Sequence, residues 1–426
     1  MTDSLKDCSR ESHFCAIAGF ISGHAWLPSE WHHLGWLAIA GGLALRSRGW
    51  NQGLSELLRH PGGIAAAAFL LWMTARSLLG AVLGDVFLTA EVVRGVVGLA
   101  LLILLCLLLW DVGNDGGLLR RIGRTSGLIC AGAALGSVLI YYVVLDGHLP
   151  GERLANAFVH GGQNPVCAGL IFGFHALWLS ALVADSTVRR ERVLLWSAVI
   201  VLTSAAFLTG SRGPMLALLC GHTVLLFCRG WHRGRMAFTV FVVIASSYLL
   251  AAPHFPSAEL QSPMQSVLGR ADNGRFQIYE AAWKAVSERD ALMVGLGEWG
   301  SRALWSPHLP PDPSGLMHHL HSVVVATLAA GGVIGISLAA VLVFFVGRAA
   351  LRRCRSQPII LALLIYGALG LSVDGQTLTS LASLPRFEGL LFWVPAILAL
   401  RADRSLVEIR GFEPLTFSLR TRRSTN

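Results

Sequence analysis

Apolar residues run in long blocks along this chain, and short polar or basic stretches separate the blocks. Val92–Trp110 (VVRGVVGLALLILLCLLLW) and Met236–Ala252 are each long and apolar enough to cross a bilayer core, which takes roughly 20 helical residues. The pattern predicts about twelve such spans. They lie near 11–28, 31–46, 63–83, 92–110, 126–145, 165–184, 193–210, 214–229, 236–252, 322–347, 358–374 and 388–401. Ser22, Gly23 and His24 interrupt the first, and the last is short.

Composition agrees with this reading. The chain is 54% hydrophobic and 14% charged, with a mean hydropathy of +0.59, whereas a soluble domain carries about a quarter charged residues. The expectation is an all-α polytopic membrane protein, 1–426 forming one integral membrane domain. A long loop at 253–320 joins spans nine and ten, and a basic tail follows from 402 to 426. The eight cysteines include no CxxC pair and mostly lie inside apolar spans, so they read as small hydrophobes with no disulfide or metal framework.

The net charge of +9 is better explained by topology than by nucleic acid. Most of the 34 Lys and Arg fall into every second connection: Lys6 and Arg10, Arg46–Arg59, Arg120–Arg124, Arg189–Arg192, Arg229–Arg235, Arg348–Arg355 and the tail. The positive-inside rule makes that side cytoplasmic, with both termini on it. The N-terminal segment has no convincing small-x-small cleavage site and reads as a retained anchor.

The outer side then carries the unusual residues. In LTGSRGPMLAL (208–218), Ser211, Arg212 and Gly213 alone separate two spans, and Pro214 suits a first helical turn. Arg212 is thereby held near the membrane surface, where its planar fork serves either a phosphate-bearing substrate or lipid headgroups. In the long loop, Phe276, Tyr279, Trp283 and Val286 recur at helical spacing, with Asp272 or Asn273 as a cap and Arg275 in the first turn. Two readings stand for this helix: one lying on the membrane, or one whose N-terminus and arginine favour an anion. Arg76, inside the third span near its outer end, is placed to reach an anion or to form a buried ion pair.

HLHSVVVATLAAGGVIG (319–335) resists reading as one span. A helix over 322–347 would be about 39 Å long against a bilayer core of about 30 Å. Gly331 and Gly332 offer a break, giving a half-buried outer helix at 321–330 and a true span at about 333–350. Gly331 and Gly335 also form a GxxxG that permits close helix contact. His321 would start the short helix at the water–membrane boundary, as a general base or hydrogen-bond donor. The HHxH run at 318–321 lacks the i,i+4 pair and carboxylate of a helical zinc motif, so no metal is expected.

His321-Ser322, nine residues and then Gly332-Val333-Ile334-Gly335 resemble the H-[N/S/Q]-x9-G-x-x-G signature of bacterial O-antigen ligases. The SRG turn at Arg212, the Arg275 helix followed by Gly295-Leu296-Gly297, and Asn164-Pro165 opening a span are similar to that family as well. The likeness covers roughly 60–400, with its motifs concentrated in 160–375. Ser322 stands where Asn is common among relatives. The resemblance implies a GT-C-like enzyme of the bacterial inner membrane with a periplasmic active site. Such an enzyme moves a glycan from an undecaprenyl-diphosphate carrier to a sugar hydroxyl of lipid A–core, without metal, nucleotide or other cofactor. It implies diphosphate binding by Arg212 and Arg275, a catalytic His321, and a functional acidic position at Asp374, whose plainer role would be to cap a span end.

Two other functions remain open on sequence. A polymerase of O-antigen or exopolysaccharide would use the same carrier. A transporter or flippase is disfavoured, because no internal repeat is evident and the distinctive charges gather at one face.

Overall fold

The computed structural model describes residues 2–46, 50–83, 89–144, 153–159, 164–229, 238–239, 241–243, 245–246, 275–310, 319–379, 381 and 387–409. The expected span at 236–252, most of the loop before 275, Asp272, Asn273, His318 and the tail beyond 409 lie largely or wholly outside these residues.

The described residues form helices and no strand. In chain order they are α1 (Thr2–Trp26), α2 (Glu30–Arg46), α3 (Trp50–Arg59), α4 (Pro61–Leu83), α5 (Thr89–Val112), α6 (Gly116–Leu139), α7 (Pro165–Asp185), α8 (Arg189–Leu208) and α9 (Arg212–Arg229). Then follow α10 (Arg275–Glu288), α11 (Ser301–Trp305), α12 (Val323–Arg352), α13 (Pro358–Asp374) and α14 (Val394–Ile409). By length and composition, six of them (α4, α5, α6, α7, α8 and α12) can cross a membrane, while α9, α13 and Gly389–Arg401 are shorter apolar helices. The protein is an all-α polytopic membrane protein.

Ion pairs tie together the connections that the basic pattern assigns to one side. Arg10 reaches Asp115 at 2.8 Å, Arg121 pairs with Glu11, and Arg124 meets Glu191 at 3.0 Å. Arg401 reaches Glu56 at 2.9 Å. Glu56 belongs to α3, a short and strongly amphipathic helix that the search for apolar blocks passes over.

α12 is two helices meeting at a break. Gly332 has φ 64° and ψ −164°, outside helical space, so the chain is helical up to Gly331 and again from Val333. A break at membrane depth frees backbone groups that lipid cannot satisfy. Residues 292–297 supply the partners: the N–H groups of Leu296 and Gly297 donate to Ala329 and Ala330 at 2.8 Å. In return, Val333 and Ile334 donate to the carbonyls of Leu292 and Met293 at 2.9 and 3.2 Å. Trp72 Nε1 of α4 donates to the Gly331 carbonyl at 2.9 Å. Gly331 and Gly335 face Met73 of α4, and a Cβ at Gly331 would stand 2.4 Å from the Met73 sulfur. The predicted break and the close helix contact are therefore both present.

α10 docks on the first half of α12. Ile278, Ala282, Ala285 and Val286 pack with Ala326, Ala329 and Leu320. Phe276 and Trp283 are exposed on this helix. Of the residues that recur at helical spacing, Phe276 and Trp283 thus point away from the docked face, while Val286 joins the alanines on it.

Candidate active site

Four helix ends meet opposite the ion-paired face. α13 packs along α9 and α7, and Gly213 lets the first turn of α9 abut the last turn of α13: its Cβ would stand 2.4 Å from Val373. Asn164 caps α7, its Oδ1 accepting from Val166 N at 2.9 Å, with Pro165 in the first turn. Its Nδ2 reaches Oδ2 of Asp374 at 3.4 Å. Asp374 is therefore buried at a junction of spans, with a side-chain exposure of 1%.

The segment before α12 brings two histidines to that carboxylate. His321 Nδ1 lies 2.5 Å from Asp374 Oδ1, and His319 Nε2 lies 3.3 Å from the same oxygen. A carboxylate only accepts, so the proton of His321 sits on Nδ1 and its Nε2 is left as the basic nitrogen. The rings of His319 and His321 are 3.7 Å apart, centre to centre. His321 has φ 49°, a left-handed conformation that non-glycine residues seldom adopt and that clusters at functional sites. Ser322 is the N-cap residue of α12, buried, with its hydroxyl making no capping bond.

Arg212 is the first residue of α9, exposed beside this junction. The turn that presents it is held by another arginine: Arg153 donates from Nε to the Thr209 carbonyl at 2.8 Å and from a terminal nitrogen to Ser211 Oγ at 2.7 Å. Gly210, with φ 59°, makes the turn possible. Arg275 opens α10 half-buried, and among the described residues no hydrogen bond or ion pair links it to the His–Asp cluster. Arg76 donates from Nε to the Gly295 carbonyl at 2.9 Å, so it secures the loop that stitches α12. Its terminal nitrogen Nη1 has no hydrogen-bond partner among the described residues.

Sequence reasoning missed His319 and Glu298. His319 lies two residues from His321, a spacing that an extended segment can turn to one side. Glu298 sits in GLGEW, buried in the wall of a cavity of about 480 Å³ that His319 also lines. Burial pushes its carboxyl up to about 7, against hydrogen bonds from Thr379 and Thr377. The donor atoms of His319, His321 and Asp374 lie within 4.8 Å of one another, a spacing open to a metal ion. His321 and Asp374 are in direct hydrogen-bond contact, so an ion seated between them would have to part the pair, since zinc stands about 2.0–2.1 Å from each ligand.

Residues 196–340 match the family model described as O-antigen ligase. Through this segment the chain is similar to the O-antigen ligase family. The match contains Arg212, Arg275, Glu298, His321, Ser322, Gly332 and Gly335, while Arg76, Asn164 and Asp374 lie outside it. A comparison with curated proteins gives no match. The match supports an O-antigen ligase/polymerase-type function, that of a glycosyltransferase-like membrane enzyme.

Proposed function

We propose that this protein is an O-antigen ligase that transfers a glycan from undecaprenyl diphosphate to a sugar hydroxyl of lipid A–core. The observation that carries this reading is the hydrogen bond between His321 and Asp374 beside the Arg212 turn. It resembles a base–orienter pair, with Asp374 fixing the tautomer and His321 Nε2 free to take a proton. In the reaction the acceptor hydroxyl gives its proton to His321 as its oxygen bonds to the anomeric carbon. The bond from that carbon to the diphosphate breaks, and undecaprenyl diphosphate leaves with the electron pair. Arg212 and Arg275 balance the charge of the leaving group, and Asp374 steadies the imidazolium. Arg76 acts indirectly, through the loop it holds. Ser322, Gly332 and Gly335 shape the His321 helix. No cofactor takes part.

On this reading the His–Asp cluster faces the periplasm across the inner membrane, and the ion-paired face with both termini is cytoplasmic. Residues 253–320 form a periplasmic loop whose described part docks on α12, and 402–426 form a cytoplasmic tail. The test mixes purified protein with diphosphate-linked glycan and lipid A–core, without metal or nucleotide. Glycan on the core supports a ligase, whereas growth of carrier-linked chains alone replaces this reading with a polymerase.

A further inference from the structure

Glu298 has a role in neither the sequence pattern nor the proton transfer, yet it is among the most tightly held groups near the site. Its backbone N–H donates to Ser77 Oγ of α4 at 2.9 Å. The glycine before it, with φ 84°, passes within 3.0 Å of α4 backbone atoms, measured from where a Cβ would stand. Trp299, the next residue, donates from Nε1 to the Leu381 carbonyl at 2.9 Å. One carboxyl oxygen of Glu298 accepts from the Thr379 hydroxyl, which in turn contacts Thr377 at 3.0 Å. The other oxygen, Oε2, is buried with no hydrogen-bond partner among the described residues, and the residue is 8% exposed. A buried polar atom left unpaired costs stability, and such groups persist where a ligand completes them.

The cavity that Glu298 lines is suited to one kind of ligand. Its wall includes Glu91, Glu298, Arg302, Ser306, Gln376 and Thr377, together with the aromatic residue Trp305. Arg302 shares this wall with two carboxyl groups, so the cavity does not offer the unopposed positive charge that suits a diphosphate. Mixed donors and acceptors beside an aromatic ring suit a polyhydroxylated ring, and the volume is that of a small-molecule pocket. His319 lies on the same wall with its ring against that of His321, so a bound sugar would sit next to the proposed base.

We infer that this cavity is a saccharide subsite and that Glu298 Oε2 binds a sugar hydroxyl within it. The inference deepens the proposed ligase reading and rests on it for the identity of the sugar, which belongs either to the acceptor core or to the donor glycan. The arms of the experiment separate these two. Transfer is measured for Glu298→Ala and Glu298→Gln at saturating donor with varied lipid A–core, then at saturating lipid A–core with varied donor. Glu298→Ala should raise the KM for one of the two substrates by about 5- to 100-fold, the loss of one buried hydrogen bond. Glu298→Gln, which keeps a donor at the same place, should restore most of it. Gln376→Ala should raise the same KM by a smaller factor and carries the test should Glu298→Ala fail to fold.

A second measurement needs no transfer activity. Core oligosaccharide lacking lipid A, or the free glycan of the donor, is titrated into the protein and followed by saturation-transfer NMR. Binding that weakens in Glu298→Ala and Gln376→Ala supports the subsite even if lipid A–core is not the acceptor. Unchanged KM values for both substrates together with unchanged oligosaccharide binding overturn it, and leave the ligase reading standing.

Discussion

His321 Nδ1 and Asp374 Oδ1 stand 2.5 Å apart, joining residues 53 positions apart in sequence across the ends of two membrane-embedded helices. One is mostly buried in a strained conformation and the other is almost fully buried. A buried carboxylate facing an imidazole fixes which ring nitrogen carries the proton. Asp374→Asn keeps the size and removes that control. Transfer should fall by roughly 10²- to 10⁴-fold in Asp374→Asn and in His321→Ala, the usual worth of a positioned base. The double variant should be little slower than either single one, because the residues act as a unit. Single-turnover rates with equal membrane expression check this; additive losses would mean that Asp374 acts independently of His321.

The break in α12 has an equally specific test. Gly332 adopts φ 64°, and a Cβ there would stand 2.4 Å from the Met293 carbonyl group. Neither strain nor contact can relax without loosening the stitch to 292–297. Gly332→Ala should cost about 1–3 kcal/mol from the backbone conformation alone, with the steric clash in addition. At Gly335 the nearest atom to a Cβ would be the flexible Met73 sulfur at 3.2 Å, with Trp72 Nε1 and the Thr327 carbonyl oxygen at ordinary contact distances of 3.5 and 3.6 Å, so Gly335→Ala should be tolerated far better. Thermal unfolding of the two variants in the same detergent decides it.

Much of this architecture was legible in the chain because bilayer physics leaves few options. Long apolar blocks must be helices, and alternating basic connections sort them by side. Length alone argued that 322–347 had to break, and the break falls at the second of two adjacent glycines. What sequence could not supply were contacts between distant segments. Glu298 looks ordinary beside a tryptophan, and only folding buries it against Thr379. Arg153 belongs to none of the sequence motifs, and only the fold places it on the 209–211 turn. α3 was hidden because an interfacial helix half polar by design leaves no apolar block.

Arg153 supports Arg212 through Thr209 and Ser211, and the support depends on a fork that donates in two directions. Arg153→Ala should loosen the turn without touching the His–Asp pair. The expected result is a KM for the carrier-linked donor raised about 3- to 30-fold, the worth of one or two hydrogen bonds, with kcat nearly unchanged. Arg153→Lys should recover only part of the loss. Steady-state kinetics over donor concentration measure it, and an effect confined to kcat would contradict a role in presenting Arg212.

Glu298 gives stability a pH dependence of known sign. Burial raises its carboxyl from the ordinary 4.5 to about 7, and the neighbouring Glu388 adds to the shift. Between these values the folded chain holds a proton that the unfolded chain has released. This contribution is therefore fully present below 4.5 and is lost as pH rises towards 7. Glu298→Gln has no proton to lose. Relative to the native chain, its unfolding midpoint should rise between pH 5 and pH 7 and stay level above, about where both ends of the titration lie. A constant difference across that range would show that Glu298 ionises like an exposed glutamate.

His319, His321 and Asp374 also make a prediction about metals. Their donor atoms are close enough to be captured by zinc, yet both histidines point at one oxygen of Asp374, and His321 is already in hydrogen-bond contact with it. A zinc ion would have to part the pair, occupying the carboxylate and imidazole together. If His321 is the base, chelator treatment should leave transfer unchanged, and added zinc should inhibit it as the pair is taken up. His319→Ala should weaken that inhibition by removing one ligand while keeping the His321–Asp374 bond. The measurement is the transfer rate against free zinc, buffered from nanomolar to micromolar. Activity lost to chelator and regained with zinc would reverse the assignment, making the three residues a metal centre and His321 a ligand in place of a base.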